Sequence, residues 1–393
     1  MIIGRENELK MLHEAYSDEY SQFVVVYGRR RVGKTFLVRE AFNYKFTFQH
    51  SGIANAPRSS QLEEWGKSLQ KHGLKGKTTP KDWFEAFSFL DDLIRKSRAK
   101  KKVVFIDELP WMDTQASNFV PALEHFWNAY ASARKDVLLI VCGSATSWIV
   151  DKIINNHGGL HNRLNKKINL KQFTLHECEL YAKSRKLGMQ HRQLLECYMV
   201  MGGIPFYWSL LRKDLSLPQN IDSIFFSEDG ELRDEFDALY RSLFKKPEAY
   251  LSVINALGKK RIGMTRDEIS TEANLTQGGM LTTILKDLEH CGFIRKYNQI
   301  GKLSKGAMYQ LVDFYTLFYF KFILENKRHD PNFWSKSAGT SLYNNWCGLA
   351  FERVCFAHIP QIKHALSIGG VVSNEYSWFV RRPDDRPGAQ IDL

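Results

Sequence analysis

Three segments of this chain are unbroken runs of apolar, mostly β-branched residues: FVVVY at 23–27, VVFI at 103–106 and VLLIVC at 137–142. Short runs without polar alternation are the pattern of strands buried on both faces, as in a parallel sheet covered by helices. YKFTFQH at 44–50 adds a candidate strand between the first two. FLVREAF, after the first run, has helical spacing, so the first half predicts an α/β fold. The pattern then changes. AYLSVINAL reads as an amphipathic helix, and Thr265-Arg266-Asp267-Glu268-Ile269 opens a second with an N-cap and first-turn acids. In a third, Met280, Leu281, Ile284, Leu285 and Leu288 recur at helical spacing before Gly292. FIRKYNQIGKLSKGAMYQLVD supplies two short strands around a basic turn. Three helices and a two-stranded wing predict a winged helix. The aromatic DFYTLFYFKFI that follows predicts a core helix.

The chemistry sits where the apolar runs end. The first run leads into Gly28-Arg29-Arg30-Arg31-Val32-Gly33-Lys34-Thr35-Phe36, which has the spacing of a phosphate-binding loop. The glycines let the backbone curl so that successive N–H groups face a phosphate. Lys34 reaches the β/γ oxygens, and the Thr35 hydroxyl can sit on Mg²⁺. Arg29, Arg30 and Arg31 read as solvated loop arginines. The second run ends in Asp107 and Glu108. In such a pair the Asp takes a Mg²⁺ water and the Glu polarises the attacking water. A glutamate directly after the aspartate favours the additional-strand class, in which another strand separates the two motif strands. The third run ends in Cys142-Gly143-Ser144, at the sheet edge where ligands gather. Ser144 is a candidate γ-phosphate sensor; capping the next helix is an equal reading.

These residues resemble the archaeal-type ATPases within the AAA+/STAND group of P-loop proteins. The likeness runs through IIGRENELKML, GRRRVGKT, FIDE, GSATSW, Leu160-His161-Asn162-Arg163 and MGGIPFYW, roughly the first half of the chain. It implies ATP as the nucleotide, Gly4 and Arg5 near the base, Pro205 on adenine or ribose, and Arg163 near the phosphates as a cis or trans arginine finger. Plainer readings stand beside these: a helix start at Gly4-Arg5-Glu6, a helix stop at Gly202–Pro205, and a surface ion pair at Arg163. The final stretch, with Glu352 on a helix, strand-like ALSIGGVV and EYSWFVR, and GAQIDL, resembles the opening of a PD-(D/E)xK nuclease-like domain. That likeness implies Asp392 as a first metal carboxylate. The Glu-x-Lys pair it also requires is absent before Leu393, so no nuclease activity is expected of this chain.

The formal net charge of +12 over 393 residues points to an acidic partner. Residues 241–310 carry twelve Lys/Arg against six Asp/Glu, which places much of the excess on the predicted winged helix. Lys302 and Lys305 in its wing suit phosphate. The start of its third helix, Thr276-Gln277-Gly278-Gly279, has few side chains for base edges, so duplex DNA contact of weak sequence specificity is expected. The basic run 95–102 reads as a solvated loop. Six cysteines without C-x-x-C spacing predict reduced thiols. His157 and His161 are separated by two glycines, which argues against a metal site there. The longest apolar stretch, FYTLFYFKFIL, is too short to span a bilayer, and no signal peptide opens the chain, so the cytoplasm is expected.

The sequence thus predicts an ATPase domain at 1–175, a helical lid at 176–240, a winged helix at 241–312, and a linker helix with an incomplete nuclease-like segment at 313–393. The expected function is a Mg²⁺-dependent ATP-hydrolysing switch or motor acting on or near DNA, with a homo-oligomer compatible. A slow nucleotide-dependent signalling scaffold that binds proteins without DNA is the other class.

Overall fold

The computed structural model describes residues 2–76, 78–156, 158–244, 246–298, 307–371, 378–380 and 389–391. The chain divides into two compact units, 1–171 and 172–393.

The first unit is built on five parallel strands: β1 (Gln22–Tyr27), β2 (Phe48–Ser51), β3 (Lys102–Asp107), β4 (Val137–Gly143) and β5 (Lys166–Asn169). Their order is β2-β3-β4-β1-β5. Val24 lies opposite Ile140 of β4 and Lys166 of β5, and Ile106 of β3 lies opposite Val141. β4 therefore separates the strand that feeds the phosphate loop from the strand that carries the acids. The apolar runs form the sheet centre because helices cover its faces; β4 is buried throughout. Helices Arg58–Lys71, Trp83–Lys96 and Phe119–Phe126 contribute an aromatic cluster to this core. Trp65 meets Trp83 edge-on at 5.5 Å between centroids, and Trp83 meets Phe119 at 4.8 Å. The Trp65 Nε1–H donates to the Ala86 carbonyl at 3.1 Å, so this ring is buried without an unpaired polar group.

A buried histidine in β2 makes this unit sensitive to acid. His50 packs among Phe48 and Trp65, with Nδ1 2.9 Å from Ser68 Oγ. Burial pushes its pKa down to about 4. The folded state thus favours neutral imidazole, and stability present above the ordinary histidine pKa is lost as pH falls from about 6.5 toward 4. The whole window is worth roughly 3 kcal/mol at most. Melting of wild type and His50→Gln at pH 7 and pH 4.5 should show a smaller acid-induced drop in the variant. Equal drops would remove His50 from the acid response.

The second unit begins with helices Leu175–Ser184, His191–Met201, Pro205–Ser209, Leu217–Phe225 and Glu235–Leu243. The Thr174 hydroxyl and the Glu177 carboxylate close a capping box on the first. Gly203 packs so closely on the preceding segment that an added Cβ would sit 1.8 Å from the Phe173 carbonyl oxygen. Next come helices Pro247–Gly258, Arg266–Glu272 and Gly279–His290 with β6 (Met264–Thr265), β7 (Ile294–Tyr297) and β8 (Met308–Leu311). These strands form an antiparallel sheet in the order β6-β8-β7. Leu281, Ile284, Leu285 and Leu288 are buried, whereas Met280, which shares their spacing, is exposed.

Helix Phe314–Phe318 runs on through a π-helical turn, Tyr319–Ile323, inside an aromatic cluster with Trp334 and Trp346. Helices Phe333–Ser337, Ser341–Ala357 and Ile359–Ala365 follow, then an antiparallel pair, β9 (Trp378–Val380) and β10 (Ala389–Ile391). The strand expected over ALSIGGVV is not formed in its described part: Ala365 ends a helix, and 366–371 are turns and bends around Gly369-Gly370. Among the described residues no helix is long and apolar enough to cross a membrane.

Candidate functional site

The site is made at the carboxyl edge of the first unit's sheet. β1 ends at Tyr27, and Leu170, just beyond β5, donates its N–H to the Tyr27 carbonyl at 2.7 Å. That packing leaves no room beside Gly28: an added Cβ would lie 2.3 Å from the Leu170 carbonyl oxygen, at a φ of 138°. Arg31 and Gly33 also take left-handed conformations, which curl the loop back onto the start of helix Lys34–Ala41. The first-turn amides of such a helix have no acceptor within it and face an anion. Lys34 is buried, and its Nζ donates to the Gly28 and Arg29 carbonyls at 3.0 and 2.9 Å, closing the loop around its own ammonium.

Across β4, the loop is bonded to the acidic strand. The Thr35 hydroxyl donates to Asp107 Oδ2 at 2.6 Å, and the Glu108 N–H donates to Asp107 Oδ1 at 2.9 Å. Glu108 adopts φ 51°, a left-handed conformation that turns the chain sharply at the end of β3. Its Oε2 accepts the Ser144 hydroxyl at 3.0 Å and the Ser144 N–H at 3.4 Å. Ser144 does not cap helix Thr146–Ile149, whose N-cap is Ala145. Burial and the neighbouring Asp107 charge hold the Glu108 carboxyl above the ordinary range, against Lys34 and Ser144. Thr35 and Asp107 offer two hard oxygen atoms side by side, a donor set that suits Mg²⁺.

Two supports of this edge were not read from the sequence. Gln61 is fully buried; its Nε2 donates to the Ile53 and Trp111 carbonyls and its Oε1 accepts the Ile53 N–H. It ties the exit of β2 to the turn after Glu108. Gly52 donates its N–H to the Asp107 carbonyl, and a Cβ there would lie 2.6 Å from the Glu108 carbonyl oxygen. The available signal for Gln61 was a polar residue in the apolar stripe shared with Leu62, Trp65 and Leu69.

The other expected residues divide. Arg5, at φ 71° just before helix Glu6–Ser17, is buried, and its Nη2 donates to the Lys171 carbonyl at 2.7 Å, one residue beyond the segment packed on Gly28. It therefore belongs to the loop edge. Arg29 is buried and Arg30 and Arg31 are half-buried, unlike the solvated arginines expected, because the curled loop lies against the protein. Val32 is buried and Phe36 exposed. Arg163 is exposed and lies at the other end of the sheet: Asn165, two residues on, exchanges hydrogen bonds with Phe23 near the start of β1. Five strand residues, about 16 Å, separate that level from Gly28. Within one chain Arg163 does not join the loop.

Pro205 opens a helix of the second unit. Glu352 lies on a helix as expected, but its two oxygens take Arg353 Nη1 at 2.6 Å and Arg261 Nη2 at 2.7 Å, so its charge is satisfied by cations. Asp392, Lys302, Lys305 and His157 lie outside the described residues. Among the described residues no three His, Cys, Asp or Glu side chains form a metal-binding group.

A sequence family described as an ATPase domain predominantly from Archaea matches residues 2–211. An uncharacterized protein of Methanocaldococcus jannaschii is 25% identical over 360 residues, covering 90% of this chain and 76% of its own length. An uncharacterized ATP-binding protein of the same organism is 36% identical over 45 residues, 12% of this chain and 76% of that protein. Among solved structures, the Walker-type ATPase of Pyrococcus abyssi superposes with a TM-score of 0.58 at 18% identity, covering 81% of this chain and 96% of that one, which shows a shared fold.

Proposed function

The chain belongs to the ATPase family found predominantly in Archaea, and from that premise we propose that it is a Mg²⁺-dependent ATP-hydrolysing switch. The observation that carries the proposal is the Thr35–Asp107 hydrogen bond, which brings the loop's hydroxyl and the strand's carboxylate to one point. Mg²⁺ held there would neutralise charge on the β- and γ-phosphate oxygens. In this reading Gly28–Phe36 wrap the phosphates with backbone N–H groups, and Lys34 exchanges its loop carbonyls for β/γ oxygens. Glu108 takes a proton from the attacking water, a task for which burial and the Asp107 charge raise its basicity. Ser144 holds the Glu108 carboxylate at the place where the γ-phosphate is sensed. Arg5 stands on the base side of the loop. Arg163 has a phosphate role only toward the site of another copy of the chain.

The second unit is the part that uses the nucleotide state, and we read its residues 247–311 as a winged helix. The order helix, strand, helix, helix and two strands, with all three strands in one antiparallel sheet, supports this. The exposed side of its third helix carries Met280, Thr282, Thr283 and Lys286, which suits backbone contact better than base reading. The basic excess is smaller in effect than the sequence suggests. Lys259, Lys260 and Arg261 form ion pairs with Glu272, Glu268 and Glu352, Arg266 donates to the Gly278 carbonyl, and Arg295 lies over the Phe356 ring. That internal pairing favours the second reading, a nucleotide-dependent scaffold without DNA. If Lys302 and Lys305 contact duplex phosphates, replacing both by Ala should weaken binding alike across sequences and lower the salt slope by about two. A mobility shift on random duplex over a salt series measures this, and an unchanged slope would take the DNA surface away from the wing.

A further inference from the structure

A large cavity of the first unit lies away from the phosphate loop. It is an open cleft of about 1200 Å³ at the amino edge of the sheet, reached by Thr47 before β2 and Val103 at the start of β3. Its lining holds Lys45, Lys71, Lys96, Lys101, His13 and His72, and no carboxylate. Lys101 is committed to structure, donating to the carbonyls of Asp18, Tyr20 and Lys135. Lys45, Lys71 and Lys96 are exposed, and among the described residues they enter no ion pair, unlike Lys67, Lys102 and Lys166.

Compensation of helix dipoles falls short of these features. Lys71 and Lys96 each end a helix, where a cation offsets the helix dipole. Helix Lys34–Ala41 also ends at this cleft. Three helix ends bring about −1.5 of partial charge, which offsets only about half of the charge on the three remaining ammonium groups. Dipole compensation also gives no reason for aromatic faces. Tyr16 and Tyr44 are 42% and 57% exposed, and Tyr16 leans on Phe42, which meets Phe46 at 6.3 Å. Tyr44 follows Asn43 in a left-handed pair, at φ 59° and 51°, and its hydroxyl hydrogen-bonds Glu40. The basic run 95–102, a solvated loop by sequence, supplies Lys96, Ser97, Ala99 and Lys101 to one wall.

Exposed cations and exposed aromatic rings lining one open cleft larger than a small-molecule pocket are what an unpaired nucleic acid strand requires. Its phosphates take the ammonium groups and its bases stack on the rings, without sequence reading. A duplex hides its base faces, and an acidic peptide has no use for the rings. We propose that this cleft binds a single-stranded polynucleotide, with bases stacked on Tyr16 and Tyr44 and phosphates on Lys45, Lys71 and Lys96.

The test is fluorescence anisotropy of labelled oligothymidylate and oligouridylate with the full chain, without nucleotide, over a salt series. A failed result therefore leaves the ATPase reading standing, and failed hydrolysis leaves this proposal standing. Tyr44→Ala and Tyr16→Ala should each weaken binding about tenfold. The triple variant Lys45→Ala, Lys71→Ala, Lys96→Ala should lower the salt slope by about two. These side chains are exposed, so the melting temperature should hold, and duplex affinity should not change. Binding of the deoxy strand, the ribo strand or both supports the proposal and identifies the source. It is overturned by absent binding of both strands, by full binding in the triple variant, or by equal binding of polyglutamate that survives both Tyr replacements.

Discussion

Glu108→Gln should bind ATP as wild type does and hydrolyse it about 10²–10⁴ times more slowly. The carboxamide keeps the oxygen that accepts from Ser144 but cannot take a proton from water, and general-base assistance is worth about that factor. The same group should set the acid limb of the rate. Burial and the Asp107 charge raise its pKa, so the active, ionised base is present at high pH, and turnover falls as pH drops through a value above the ordinary carboxylate range. Phosphate release measured against pH should show that limb in wild type and lose it in Glu108→Gln. Wild-type rates in the variant would remove Glu108 from the reaction.

Lys34→Ala should fail at an earlier step. The ammonium is buried at the loop, and a charge-assisted hydrogen bond to phosphate contributes about 1.5–3 kcal/mol, a roughly 10- to 150-fold loss of affinity for each bond removed. Gly28 against Leu170 and the Thr35–Asp107 bond still shape the loop in the variant, so the fold persists without nucleotide. The readout is the melting temperature with and without ATP and Mg²⁺. Binding to the folded state raises it by mass action in wild type and Glu108→Gln, and Lys34→Ala should lose that rise. An undiminished rise would place the nucleotide away from this loop.

Much of the site was legible because its parts are local in sequence. A buried strand, its terminal residues and the start of the next helix lie within a dozen positions, so Gly28–Phe36 and Asp107-Glu108 could be read directly. The separation of the two motif strands also followed, from the glutamate that comes straight after the aspartate, and β4 occupies that place. The Ser144–Glu108 contact lay one step further: both residues end strands, and only the β3–β4 register brings those ends together.

What failed depended on register or on a change of environment. For Arg163, which precedes a parallel strand, the register delivers the residue to the edge opposite the loop, so of the cis and trans readings only the trans one stays open. Arg29 is buried because the loop folds against the protein, which a count of charges in a glycine-rich turn does not register. Gln61 and His50 are polar residues at apolar positions, and periodicity alone assigns such positions to packing. The predicted strand over ALSIGGVV failed at Gly369-Gly370, where the apolar residues on either side lack a continuous extended backbone. Glu352 lies on a helix as expected, with its carboxylate between Arg261 and Arg353.

Phosphate release from ATP by the full chain, with Mg²⁺ and then with the metal chelated, decides whether the loop and the acidic strand form a hydrolytic site. Hydrolysis should run steadily with Mg²⁺, stop when the ion is removed and return when it is restored, because Thr35 and Asp107 share one point beside the phosphate loop. Hydrolysis that continues unchanged under chelation, or no hydrolysis by folded wild-type protein with ATP and Mg²⁺ present, would contradict a hydrolytic site there.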